Sequence, residues 1–153
     1  MRASYINDLE EWKDGFGFAV PVTVRFSETD MFGHLNNTVP FTYFEFARTE
    51  YFKHLGLMQC WLERDSGTIP VVADLQCDYA KQVYFDEELH IHVKAENVGR
   101  SSVDIHYMAT DRQGTVCLTG RGTIVQMAKA TGKSEPWAEA DKELFGLAEQ
   151  AVG

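Results

Sequence analysis

Cationic residues are scarce in this chain of 153 residues: fourteen Lys and Arg stand against twenty-three Asp and Glu, a net charge of −9. That shortage argues against a nucleic-acid surface, since phosphate binding is driven by clustered Lys and Arg. It equally disfavours docking on anionic lipid. Long apolar runs are missing too, and Met1 to Asp8 lacks the apolar core of a signal peptide, so the sequence reads as cytoplasmic with no membrane partner. Only three cysteines occur, Cys60, Cys77 and Cys117, widely spaced and without a Cys-x-x-Cys pair. They read as reduced core residues, not as a disulfide framework or a zinc site. Repeats, low-complexity stretches and linkers are absent, so a single domain is expected, one able to bury roughly 70% of its unfolded surface. Disorder is excluded by composition, with 44% hydrophobic and 12% aromatic residues.

Periodicity assigns the elements. Residues 5–13 place Ile6, Leu9 and Trp12 on one side of a short amphipathic segment that ends at Gly15 and Gly17. Val20, Val22, Val24 and Phe26 then alternate with Pro21, Thr23, Arg25 and Ser27, and Pro21 suits a strand beginning or an edge. Residues 38–55 predict a helix with Asn37 or Thr38 as N-cap, Pro40 in the first turn and Gly56 as the C-terminal cap. Its apolar residues spread well beyond one stripe, which predicts burial nearly all round. Leu57 to Glu63 adds a short helical piece. From Ile69 to Met127 the pattern is strands, over about 71–79, 89–95, 103–109 and 115–127, with hairpin turns at 97–100 and 111–114. Pro136 opens a C-terminal helix with Trp137, Ala140, Leu144 and Leu147 on one face. An α+β fold satisfies these patterns: a curled antiparallel sheet of about five strands wrapped around one long helix, its outer face polar. Residues 1–17 are an N-terminal extension and 18–153 the domain.

The densest polar cluster runs from Glu28 to Asn37, immediately before the long helix. Asp30 is a carboxylate able to serve as general base or nucleophile. Unpaired N–H groups at the helix start can polarise a carbonyl and hold a developing oxyanion. Gly33 permits close approach of the backbone to a ligand. The competing reading is a helix-capping loop, because Asp, Asn and Thr are good cap residues.

The stretch from Val24 to Asn37, with its Asp30-x-x-Gly33-His34-x-Asn36-Asn37 string, resembles the leading signature of hot-dog-fold acyl-CoA thioesterases of the 4-hydroxybenzoyl-CoA thioesterase-like group. The similarity continues through Tyr43-Phe44-Glu45-Phe46-Ala47-Arg48, Cys77-Asp78-Tyr79, Asp86-Glu87-Glu88-Leu89 and Ala130-Thr131-Gly132-Lys133 with Pro136, about residues 18 to 147. The resemblance implies a catalytic carboxylate at Asp30 and a carbonyl-binding backbone N–H at Asn37. His34, also a candidate catalytic group, and Asn36 match the polar loop lining the site. Gly33 and Asn36 are the expected substrate-binding positions. Pro40 departs from the pattern, standing where relatives usually carry tyrosine. The expected substrate is an acyl-CoA or acyl carrier protein thioester, hydrolysed without cofactor or metal by a homodimer or homotetramer. Hot-dog hydratases share the fold, so a hydratase and a non-catalytic acyl-CoA-binding module are the alternatives.

Other groups carry weaker signals. Glu45 and Arg48, three apart on the helix, are expected to pair. His90, His92 and His106 fall on outward strand faces, and pairing of 92 with 106 would bring two imidazoles together. A solvated face is the simpler reading, because zinc needs more ligands than can be assigned. Lys81, Lys94, Arg100, Arg121 and Lys129 are the candidates for gripping coenzyme A phosphates.

Overall fold

The computed structural model describes residues 3–150, with side chains through Gly146. Its helices are α1 (Leu9–Asp14), α2 (Val39–Leu55), α3 (Leu57–Leu62) and α4 (Glu139–Gln150). Its strands are β1 (Phe18–Thr23), β2 (Thr68–Val72), β3 (Gln76–Tyr79), β4 (Glu88–Val98), β5 (Ser102–Thr110) and β6 (Val116–Ala128). They form one antiparallel sheet in the order β1-β4-β5-β6-β2, with β3 also on β6. This is the expected curled sheet around a central helix, with six strands where five were counted. The stretch 71–79 divides because the chain crosses β6 where β6 has no side chain: a Cβ on Gly122 would lie 2.6 Å from the Asp74 carbonyl oxygen. Asp74 turns its carboxylate back to accept from the Thr123 N–H at 2.7 Å, interrupting the strand.

Leu89, Ile91, Val93 and Ala95 of β4, with Val103, Ile105, Tyr107 and Ala109 of β5, point inward and are buried with Phe44, Ala47, Tyr51 and Phe52 of α2. Phe44 stacks on Tyr107 with ring centroids 4.5 Å apart. Gly56, with φ 88°, takes the left-handed conformation that ends α2, as its sequence position requires. The helix is not buried all round, since Thr42, Glu45 and Phe46 are exposed. The C-terminal helix begins at Glu139, not at Pro136. Trp137 sits before it, buried, donating its indole N–H to the Ser102 carbonyl at 3.0 Å. Ala140 is exposed and Leu144 half-buried, while Leu147 lies outside the described side chains. Phe26 also leaves the expected strand. It stands 77% exposed in a 3₁₀ turn over Phe26–Glu28.

The outer sheet face is where the structure departs most from expectation. The N-terminal segment folds across it and makes a second small core from Trp12, Phe16 and Met108, joined by Tyr5, Ile6 and Val116. The Trp12 indole donates to His106 Nδ1 at 2.8 Å, and His106 Nε2 meets Asp104 at 3.0 Å. Lys94 donates to the Trp12 carbonyl at 2.6 Å. His106 is therefore buried, not solvated. Its cross-strand partner is Lys94, while His92 faces Met108. The register differs from the expected one because the turn runs over 99–101 and a bulge falls between Ala95 and Asn97. Cys60 is likewise exposed, not core: α3 buries Leu57 and Trp61 and turns Cys60 outward.

Candidate active site

The loop between β1 and α2 is held in shape by its own hydrogen bonds. Asp30 Oδ1 accepts from the N–H groups of Phe32 (2.9 Å) and His34 (3.2 Å). The Asp30 N–H donates to the His34 carbonyl at 2.8 Å, and the Gly33 N–H to the Asp30 carbonyl at 3.0 Å. Gly33 closes this turn with φ 82°, a value that a residue with a Cβ rarely takes. With Oδ1 committed to the turn, Oδ2 has no partner among the described residues. A short antiparallel bridge from Thr29 to Leu35 closes the loop on itself, while a second from His34 to Tyr84 and the Leu35 N–H on the Val83 carbonyl at 2.7 Å dock it against residues 83–84.

Two anchors tie the loop to α2. Asn36 Oδ1 accepts from both the N–H and the hydroxyl of Thr38 at 3.1 Å, and so fixes the N-cap residue of α2 in place. Glu28 is the other anchor, 8% exposed. Its Oε1 accepts from the Tyr43 hydroxyl (2.8 Å) and the Arg25 N–H (2.9 Å), while its carbonyl accepts from the Asn36 N–H (2.8 Å). Burial alone would raise the Glu28 carboxyl, but these donors outweigh it and hold the group below its usual value. Burial and the neighbouring Glu28 carboxylate push the Tyr43 phenol upward.

A cavity of about 400 Å³ opens beside this loop, lined by Asp30, His34 and Asn37 together with Tyr79, Lys81 and Val83 among others. The three expected catalytic positions thus share one wall. The Asn37 N–H has no acceptor among the described residues, while its carbonyl accepts from the Tyr79 hydroxyl. A free amide at a helix start beside a carboxylate can hold carbonyl oxygen while the acid handles a proton. Gly33 and Asn36 do not line the cavity. They shape it, one by closing the turn and the other by holding Thr38 at the helix entry. Of the five basic candidates only Lys81 borders it, its ammonium 2.6 Å from Asp111. Lys94 lies under the N-terminal segment, and Arg121 is engaged by Asp104 and Asp74.

Tyr79 and the Glu28–Tyr43 pair were not singled out from the sequence as site residues. Tyr79 reaches the loop from 42 positions away, beyond any spacing rule. Glu28 did carry a signal, an acid beside Thr29-Asp30, but its partner is fifteen residues on. Cys77 and Cys117 are unsuited to nucleophilic work, for burial pushes the Cys77 thiol up to about 12 and the Cys117 thiol up to about 11. Among the described residues no group of three or more His, Cys, Asp and Glu side chains is arranged to hold a metal ion. No described helix is long and apolar enough to cross a membrane.

A curled sheet around a helix, with a polar loop feeding the helix N-terminus, defines the hot-dog class. Residues 24–145 match the thioesterase-like superfamily, and the chain belongs to it. The chain is 48% identical over 135 residues to the protein YsmA of Bacillus subtilis, covering 88% of this chain and 89% of that one. It is 30% identical over 87 residues to the acyl-CoA thioesterase YbgC of Haemophilus influenzae, covering 57% and 64%. A thioesterase of Thermus thermophilus, solved with coenzyme A and zinc, superposes with a TM-score of 0.75 at 30% identity over 89% of this chain and 97% of that one.

Proposed function

We propose that this protein hydrolyses acyl-CoA thioesters to a free acid and coenzyme A. The observation that carries the reading is the shared wall of Asp30, His34 and the unpaired Asn37 N–H. The thioester carbonyl oxygen accepts from the Asn37 N–H. Asp30, through its open Oδ2, takes a proton from water as the water oxygen adds to the carbonyl carbon, or attacks that carbon itself to give a mixed anhydride that water then cleaves to the free acid and the restored carboxylate. The C–S bond breaks, and the sulfur leaves as thiolate and takes up a proton. Lys81, which borders the cavity, is the basic group we assign to a coenzyme A phosphate. His34 shares the same wall, which supports a second reading with imidazole as the base.

The exposed Phe46 on α2 and the open sheet edges at β1 and β2 support assembly as at least a dimer. Membership of the superfamily and the coenzyme A complex of the Thermus thermophilus protein support the substrate class.

The test is release of free thiol from a panel of aliphatic and aromatic acyl-CoA substrates by wild type, Asp30→Asn and His34→Ala. Asn keeps the Oδ1 acceptor for the Phe32 and His34 amides, so the loop stays folded. Loss of the base lowers kcat by about 10²–10⁴-fold. Near-normal turnover in Asp30→Asn with none in His34→Ala moves the base to His34. Tight acyl-CoA binding by wild type without turnover of any substrate returns the protein to a binding module.

A further inference from the structure

Tyr5 ties the N-terminal segment to β3. Its half-buried ring packs edge-on against His106, centroids 4.9 Å apart, and stands 6.2 Å from that of Trp12. Its hydroxyl donates to Asp78 Oδ2 at 3.4 Å and shares a hydrogen bond with Thr119. Asp78 and Thr119 are a cross-strand pair of β3 and β6, so one phenol pins both strands from the outer face. Gln76 adds a 3.3 Å bond to the same Asp78 oxygen. Such support matters to β3, which is four residues long and pairs with β6 alone among the described strands.

Side chains alternate along a strand, so the residue after Asp78 points to the opposite face of the sheet. That residue is Tyr79, whose hydroxyl donates to the Asn37 carbonyl. The peptide carrying the Asn37 N–H is held on its other side, where the Asn36 carbonyl accepts from the Val39 N–H at 3.0 Å. Peptide units are planar, so fixing the two planes that meet at Asn37 fixes where its N–H points. Contiguous contacts therefore run from Tyr5 through Asp78 and Tyr79 to the amide beside Asp30.

We propose that Tyr5 and Tyr79 are positioning residues for the carbonyl-binding amide of Asn37, a role that rests on the hydrolysis proposed above. The N-terminal segment acts on the site from the far face of the sheet, and none of its residues lines the Asp30 cavity. Stabilisation of a developing oxyanion depends on donors fixed before the reaction. A loosened β3 therefore lowers kcat more than it alters KM. Tyr5→Phe deletes the hydroxyl that reaches Asp78 and keeps the ring on His106 and Trp12.

The experiment combines thiol-release kinetics and amide NMR on the full chain, for wild type, Tyr5→Phe, Tyr79→Phe and the double variant. Tyr79→Phe is expected to lower kcat about 10-fold and Tyr5→Phe about 3-fold, with KM within about 2-fold. Tyr5→Phe is expected to cost nothing further in the Tyr79→Phe background, since it acts through Tyr79. It is likewise expected to shift the Asn37 amide resonance only where Tyr79 is present. Phe16→Leu loosens the same outer core from a ring that meets Trp12 and His92, and is expected to lower Tm with kcat unchanged. The positioning role is overturned if Tyr5→Phe leaves both kcat and the Asn37 resonance unchanged, or if it costs as much in the Tyr79→Phe background. It is also overturned if Phe16→Leu lowers kcat equally, because loss of activity then only follows loss of stability. Should wild type hydrolyse no thioester, the hydrolysis reading falls, and the Asn37 resonance alone decides whether the two tyrosines hold that amide.

Discussion

Tyr43→Phe isolates the clamp that holds the candidate loop on the central helix. The change deletes one oxygen and leaves the ring packed in the core. Glu28 then keeps the Arg25 N–H at 2.9 Å and the exposed Arg25 guanidinium at 3.4 Å, but loses the 2.8 Å bond from Tyr43. Hydrogen bonds to charged groups contribute about 1.5–3 kcal/mol, and because the amide of Arg25 remains, the lower half of that range applies. In a chain of this length that is a fall in Tm of about 3–9 °C. The linkage to pH has a definite sign. The folded Glu28 carboxyl is held below its unfolded value, so its contribution is complete above the unfolded value of about 4.3 and is lost as pH falls through the folded one. Removing the Tyr43 donor brings the folded value up, and acid unfolding is expected to begin at higher pH. Because Glu28 also bonds Asn36 through its carbonyl, the loop shifts when the clamp loosens, and kcat is expected to fall several-fold with KM little changed. Calorimetry from pH 3 to 8 and thiol-release kinetics measure both. Glu28→Gln retains an acceptor for Tyr43, so its double mutant with Tyr43→Phe should be non-additive. A Tyr43→Phe protein within 0.5 kcal/mol of wild type, with an unaltered acid limb and unaltered kcat, refutes the clamp.

Burial holds His106 below its ordinary value, against the opposing pull of Asp104, so protons bind more readily to the unfolded chain as pH falls below about 6.5. The stability of the N-terminal segment is therefore expected to be complete above that pH and to decline until the folded His106 titrates, read as faster hydrogen exchange in residues 9–14. Flat exchange protection from pH 7.5 to 5 refutes this. Gly120→Ala places a Cβ 2.4 Å from Phe44 Cε2 and 2.8 Å from the Gln76 carbonyl oxygen, and is expected to cost about 1–3 kcal/mol in denaturant unfolding. A wild-type midpoint contradicts that packing. Light scattering at working concentration is expected to give at least a dimer, and a monomeric mass with full activity removes the assembly proposal.

How much of this was legible in the sequence follows from the range of each interaction. Alternation over 89–95 and 103–109 placed the inward faces correctly, because a strand's side chains alternate whatever else the chain does. The helix bounds were legible from Pro40 and Gly56, residues with strong local backbone preferences. That Asp30, His34 and Asn37 come together was legible because they lie within eight residues and the turn that gathers them is local. Register was not legible, since one bulge near Glu96 moves His106 from His92 to Lys94 without changing any residue's face.

The N-terminal cap was missed for a related reason. A short segment carrying Ile6, Leu9 and Trp12 declares an apolar side but not what that side covers. The target lies some ninety residues on: Trp12 meets His106 across 94 positions and Lys94 across 82. His106 and Lys94 look solvent-facing by alternation alone, and they become buried only because the extension supplies an indole N–H for one and a carbonyl for the other. The same logic covers Arg48. Lys94 and His106 are polar groups whose partners the chain itself brings, from a distance that no local pattern measures. Arg48 was assigned a partner by a local rule, the i, i+3 spacing to Glu45, and in the folded chain that pair does not form. Its guanidinium instead bonds, among the described residues, the Tyr107 hydroxyl 59 positions away.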